Sequence, residues 1–456
     1  MAGSLAACAS GGSQNKRGET DFTAGAAGVG DPYYPHAGNG GYDVTHYALQ
    51  LSYTPDNDHL DGTARITVEA TKNLARFNLD FRGFDVSRVT VDGKKASYRR
   101  DGSELIVTPP GRGLPKGTKF RVTVDYAGTP HSLKGPFGAF SGWVNTDDGS
   151  FVAGEPVGAK TWYPVNGHPT DKATYTFRLR VPEGTTAVAN GRLRSKQTRD
   201  GWTTFVWEAT KPTASYLTTA TIGRFEVSKS KTAAGRPNYT AVDVDLADRA
   251  QLVVPVTNKT TGYFSELFGD YPLTAVGAIV DDEDVGYALE TQTRPIYGRV
   301  PHQATIAHEM AHQWFGNTVS PATWRDIWLN EGFASYAQWL WSEHVGGLTA
   351  KQRFQRLYAK PADAKFWNPP PGDPGREHNF AQSVYVRGAM ALHALRERIG
   401  DDAFFELLRT WVEKHRYGNA SIPDFVALAE QVSGKQLDKL FDAWLYQKGK
   451  PQRGSW

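Results

Sequence analysis

The chain changes its hydrophobic period once. From about Gly40 apolar and polar residues alternate: Tyr47, Leu49, Leu51 and Tyr53 in "THYALQLSY", Ile66 and Val68 in "ARITVEA", and Tyr175, Phe177, Leu179 and Val181 in "TYTFRLRV". Successive side chains of a strand point to opposite faces, so a period of two predicts strands with one buried face. Turn-forming stretches such as "PDND", "VDGKK", "RRDGSE" and "PPGRGLPKG" separate these runs at short intervals, which predicts a β-sandwich-like domain ending near Gly223.

Beyond about Ala250 the period becomes helical. "KTTGYFSELFG", "ATIAHEMAHQWFG", "EGFASYAQWLWSEHVG", "VRGAMALHALRERIG", "DDAFFELLRTWVEKH", "SIPDFVALAEQVSG" and "LDKLFDAWLYQ" place apolar residues three and four apart, and several stop at glycine. Between the first two, "AVGAIVDDEDVGYALETQTRPIYG" reads as strand and loop, with the acidic "DDED" a solvated turn rather than a cation site. No internal repeat is visible. The pattern predicts a multidomain α+β protein: a flexible N-terminus over 1–40, a β-domain over 41–222 and a mostly α-helical domain over 223–456.

Composition narrows the function classes. With 456 residues, 39% of them hydrophobic and 12% aromatic, the chain can bury two or three substantial cores, and a disordered protein is excluded. Lys and Arg number 51 against 48 Asp and Glu, and no basic stretch is concentrated enough to follow a phosphate backbone, so nucleic acid is not an expected partner. No window reaches the length of apolar sequence that spans a bilayer as a helix, about 18 residues. The one cysteine, Cys8, has no partner for an internal disulfide. It closes "LAAC", which resembles the lipobox of bacterial lipoproteins, followed by a Gly/Ser/Ala-rich tether. That resemblance implies lipidation at Cys8 and an exported protein held at the extracytoplasmic side of a membrane. The alternative is a cysteine in a loose N-terminal tail, and the mass of the N-terminal peptide distinguishes the two.

Candidate chemistry gathers in "TIAHEMAHQWFGN", Thr305 to Asn317. On a helix, residues i and i+4 point the same way, so His308 and His312 can offer two nitrogens to one metal, while Glu309 is turned about 100° aside toward a bound water. Two buried core histidines would look the same. A hydrolytic zinc site takes a third protein ligand and keeps one position for water. Glu331, with 18 residues between it and His312, begins an apolar run and can close a His, His, Glu set; it can also be a helix N-terminal glutamate favoured by the dipole.

The pattern HExxH, 18 residues and a glutamate within "WLNEGFA" resembles the M1 family of zinc aminopeptidases, and "HEMAHQWFGNTVSPATWRDIWLNEGFASY" is similar to that family along its length. "YVRGAMAL", "ETQTRPIY" and "GAKTWYPVNGHPTDKATYTFRLRVP" extend the resemblance over nearly the whole chain. It implies a thermolysin-like catalytic domain behind an N-terminal β-domain, one zinc ion per chain held by His308, His312 and Glu331, and Glu309 as general base. It also implies Tyr385 as hydroxyl donor to the oxyanion. In "YALET", Ala288, Leu289 and Glu290 fall on the family's substrate-binding segment, with Glu290 holding the free α-amine of a peptide. The implied activity is removal of N-terminal residues from peptides with a free N-terminus. A zinc endopeptidase and a non-catalytic peptide-binding lipoprotein are the alternatives, with an epoxide hydrolase further off.

Some positions depart from the family pattern. Around Glu290, Tyr287, Leu289 and Thr291 stand where the family usually has glycine, methionine and asparagine, Ala153 stands where a glutamine often touches the substrate amine, and Arg387 replaces a lysine while keeping the charge. Glu155 is near enough in sequence to compensate for Ala153, although an ordinary structural role is the alternative. "LDKLFDAWLYQKGKPQ" looks like the close of the catalytic domain, so the helical C-terminal domain of larger members is not expected and the cleft should be open. The proline-rich "FWNPPPGDPGREHN" is expected at the rim or as a plain surface loop.

Overall fold

The computed structural model describes residues 21–135 and 140–454. Cys8 and the lipobox-like stretch lie outside the described residues.

The alternating runs form an eight-stranded sheet. Tyr42–Thr54 pairs antiparallel with His59–Ala70 and parallel with Lys172–Pro182, which in turn pairs with Trp202–Ala214. Tyr47, Leu49, Leu51 and Tyr53 are all buried, as are Ile66, Val68, Tyr175, Phe177, Leu179 and Val181. Their shared face packs on a five-stranded sheet containing Phe140–Asn145, Ser150–Ala153 and Ala220–Gly223. The seam is aromatic: Tyr47 stacks on Tyr175 at 4.9 Å and Trp162 meets Tyr163 edge-on at 4.4 Å.

The second half opens with a five-stranded sheet of Phe225–Lys231, Pro237–Asp243, Val276–Val280, Ile296–Tyr297 and Ala288–Leu289. Helices follow in the order α1 (Val253–Phe268), α2 (Gln303–Ala311), α3 (Trp328–His344), α4 (Ala350–Tyr358), α5 (Gln382–Ile399), α6 (Asp401–Lys414), α7 (Ile422–Ser433) and α8 (Asp438–Phe441). Among the described residues no helix is long and apolar enough to cross a membrane. The "DDED" turn is solvated at Asp282 and Asp284 only; Asp281 is buried, and burial pushes its carboxyl up to about 8.

The two halves are joined through buried side chains. Ile279, Leu289 and Ile296 of the second sheet belong to the β-domain core, while Tyr33, Tyr216 and Leu217 belong to the helical core. Lys172, half-buried at the start of the strand Lys172–Pro182, donates to the carbonyls of Asn317, Thr318 and Gly418 at 2.8–3.1 Å.

Arg387 has a structural task that its charge alone did not suggest. It is fully buried on α5, and its guanidinium donates to the carbonyls of Trp367, Ala443, Trp444 and Gln447, tying the proline-rich segment to the C-terminal turn. Arg387→Met would leave those acceptors without donors, at a cost of about 3 kcal/mol or more. We expect a melting temperature lower by roughly 6–12 °C in calorimetry. Arg387→Lys, with three donors for four acceptors, should fall in between.

Candidate metal centre and active site

Two helices and a turn build the site. α2 carries His308 and Glu309, and His312 caps its C-terminus still in helical conformation, so the imidazoles share one face. The chain then reverses at Gly316, whose φ of +119° suits glycine and where a Cβ would lie 3.1 Å from the Asn330 amide. The turn brings the Phe315 carbonyl to Nδ1 of His312 at 3.0 Å, which holds a proton on Nδ1 and turns Nε2 toward Glu331. Asn317 donates to the Glu290 carbonyl at 2.7 Å, linking the same turn to the strand beside it.

Glu331 lies in the first turn of α3. Its Oε2 is 3.1 Å from Nε2 of His308 and 3.5 Å from Nε2 of His312. Ligand atoms about 2.1 Å from a tetrahedral zinc are roughly 3.4 Å from one another, so the three donors already stand at the spacing such an ion requires. The donor set, two imidazoles and one carboxylate, is also that of a hydrolytic rather than a closed structural zinc site.

Tyr385 reaches the centre because α3 and α5 cross at glycines. A Cβ on Gly332 or Gly388 would come within 2.6 Å or less of the Trp328 indole, which lies between them and donates to the Gly388 carbonyl. The Tyr385 ring stacks beside His308 with centroids 6.0 Å apart.

These groups line one cavity of about 170 Å³, together with Glu155, Glu290, Tyr287, Ala288 and Phe380. Leu289, which the resemblance placed on the substrate-binding segment, is absent from the wall: the strand alternation that turns Ala288 to the cavity buries the Leu289 side chain in the β-domain core. Glu155 is present, projecting from the β-domain just after the strand Ser150–Ala153. Phe380 directly follows the proline-rich stretch, which is partly rim: Phe366 and Trp367 are core, whereas Arg376, Glu377 and Asn379 line a neighbouring cavity of about 540 Å³. Phe380 and Gln338, which bonds to His308, had no marker in the sequence pattern.

Four carboxylates and two imidazoles out of water form an electrostatic problem with a chemical meaning. Burial raises the carboxyl groups of Glu155, Glu290 and Glu309, the first further because of Glu290. Burial works against protonated His312, but Glu290, Glu331 and Glu309 outweigh it and push the imidazole up to about 10. Burial likewise opposes the Glu331 charge, yet His312 and His308 hold its carboxyl at about 2. One oxygen each of Glu155 and Glu290 is buried with no hydrogen-bond partner. A site of this kind is satisfied by cations brought from outside: one at the His, His, Glu set and one between Glu155 and Glu290.

A helix-borne HExxH with a distant glutamate, set behind a β-domain that contributes to the same cavity, defines a two-domain zinc metallopeptidase. The comparisons agree. A model of the peptidase family M1 domain matches residues 287–444, and one of the peptidase M1 N-terminal domain matches 43–217. An M1 zinc metallopeptidase from Deinococcus radiodurans is 30% identical, superposes with a TM-score of 0.85, and the match covers 93% of this chain and 99% of that one. A mutant of it has been solved with a Tyr-Ser-Ala substrate. Among curated proteins, glutamyl aminopeptidase of Sus scrofa is 24% identical over 89% of this chain and 47% of its own length. Aminopeptidase M1 of Arabidopsis thaliana is 27% identical over 65% of this chain and 36% of its own. The chain thus spans about half or less of these two relatives. It belongs to peptidase family M1, and zinc is its cofactor.

Proposed function

We propose that the chain is an aminopeptidase that removes single residues from the free N-terminus of peptides. The observation that carries this reading is the pair Glu155 and Glu290. Their carboxylates and that of Glu331 each place an oxygen within 4.8 Å of the others, so an α-ammonium held by the pair sets the first peptide carbonyl beside the metal ligands. Both carboxylates line the same 170 Å³ cavity as the metal ligands.

Zinc, when bound by His308, His312 and Glu331, supplies Lewis acidity and lowers the pKa of water toward about 7. The chain does the rest. Glu309, whose carboxyl burial raises, accepts a proton from the attacking water and passes it to the departing amine. Tyr385 stays neutral, since burial first and then Glu331 raise its phenol well above the usual range, and its hydroxyl donates to the carbonyl oxygen as negative charge develops there. Glu155 and Glu290 hold the substrate in register.

A matched pair of fluorogenic peptides, one free and one N-acetylated, tests the reading. Cleavage of the free peptide alone is expected, with kcat/KM lowered about 30- to 1,000-fold by Glu290→Gln or Glu155→Gln, the range for removing one partner of a buried charge pair. Equal cleavage of both peptides, unaffected by the two substitutions, would instead identify an endopeptidase.

A further inference from the structure

A second cavity, of about 380 Å³, adjoins the metal cavity. The two share His308 and Tyr385, but the second touches none of Glu155, Tyr287, Ala288 or Glu290. It therefore lies beyond the metal ligands, on the side away from the amine anchors. A peptide whose α-amine sits between Glu155 and Glu290, and whose first carbonyl lies at the metal ligands, must send its remaining residues this way. The volume is at the lower end of the roughly 300–1,000 Å³ common for ligand sites.

The far wall carries an unusual charge. Ser335, Gln338 and Trp339 of α3 form one side, and Arg353 and Arg356, three residues apart on one face of α4, form the other. Arg353 donates from Nη2 to Ser342 at 3.1 Å, while its Nε is buried with no partner. Neither arginine forms an ion pair among the described residues; the neighbouring charge that Arg353 feels is Arg356, and burial and that like charge both disfavour its guanidinium. By contrast Arg396, also half-buried, meets Asp401 at 2.8 Å. Two adjacent guanidiniums left without an acid, in a cavity that abuts the reacting centre, make a forked donor set for a carboxylate.

We propose that Arg353 and Arg356 bind a carboxylate on the leaving part of the substrate, so that the enzyme prefers peptides presenting one just past the scissile bond. This rests on the aminopeptidase reading for its direction, since that reading sends the leaving residues toward α4. The carboxylate has two sources, the C-terminus of a di- or tripeptide or an acidic side chain after the first residue.

The test uses the full zinc-loaded chain and three alanine-based tripeptides: the free acid, the C-terminal amide, and an amide with aspartate as second residue. The free acid or the aspartyl amide should exceed the plain amide about 10- to 100-fold in kcat/KM, chiefly through KM, as befits a charge-assisted hydrogen-bond pair. Arg353→Gln and Arg356→Gln should each remove most of that preference. Whichever substrate is favoured identifies the source. Arg356 is exposed, so Arg356→Glu keeps the test open if Arg353→Gln fails to fold, and it should invert the preference. Calorimetric binding of the same peptides to Glu309→Gln reads the arginines without turnover. Equal treatment of acid and amides by the wild type, or a preference that survives both substitutions, overturns the proposal. Loss of N-terminal selectivity with an intact arginine-dependent preference would instead overturn only the aminopeptidase reading.

Discussion

Glu309→Gln should lower kcat about 10²- to 10⁴-fold while zinc remains bound at one per chain. Glutamine keeps the volume and removes the proton acceptor, and the metal ligands are not touched. The structure adds a second expectation that a merely structural glutamate would not meet. Burial raises the Glu309 carboxyl well above its ordinary 4.5, so the folded protein holds that proton more tightly than the unfolded chain. Its contribution to stability is therefore lost as pH rises from about 4.5 through the raised value. Removing it should leave the melting temperature of the metal-free protein unchanged or higher. Activity and stability moving in opposite directions would mark a catalytic base; a fall in both would not.

Stripping the zinc should abolish activity and lower the melting point, and both should return on adding zinc. At free zinc a thousandfold above its dissociation constant the stabilisation is about 4 kcal/mol. Its size should depend on pH in a specified direction. To bind metal His312 must be neutral, yet in the metal-free protein the surrounding carboxylates hold it protonated up to about 10. A histidine raised from 6.5 stabilises the metal-free fold fully below 6.5, and that contribution is lost as pH rises through 10. Between those limits zinc displaces the proton, so affinity should rise about tenfold per pH unit. Competition with a chelator at pH 6.5, 7.5 and 8.5 measures this, and titrations in buffers of different ionisation enthalpy count the proton. An affinity flat across that range would refute the assignment of His312 as a protonated ligand in waiting.

What could be read from the sequence follows the range over which each contact is made. His308 and His312 are one helical turn apart, so their convergence is local and was visible in the spacing. Glu331 reaches them from another helix; spacing alone left it open to a capping role, and the resemblance to the M1 pattern favoured it as a ligand. Tyr385 depends on how closely α3 and α5 cross at Gly332 and Gly388, which no periodicity reports. Leu289 was grouped with Ala288 because both lie in one motif, whereas strand alternation separates them by face. Glu155 was weighed against a structural role because its approach to Glu290 is made across the two domains. For Arg387 the charge was legible and the four carbonyl acceptors were not. Arg353 and Arg356 lie on an ordinary-looking surface helix and gain meaning only from the cavity they face.

Glu155 and the metal ligands have different owners. Glu155 is carried by the β-domain, His308, His312 and Glu331 by α2 and α3, and Lys172 fastens the two bodies by holding the carbonyls just after the zinc helix. On the proposed aminopeptidase reading, the distance from amine to scissile bond is measured in part across the seam between the two domains, like a gauge whose jaws sit on different castings. Counting one residue from the end of a peptide is then a property of how the castings are bolted together. A change at that junction, remote from every reacting atom, would alter where the enzyme cuts before it altered how fast.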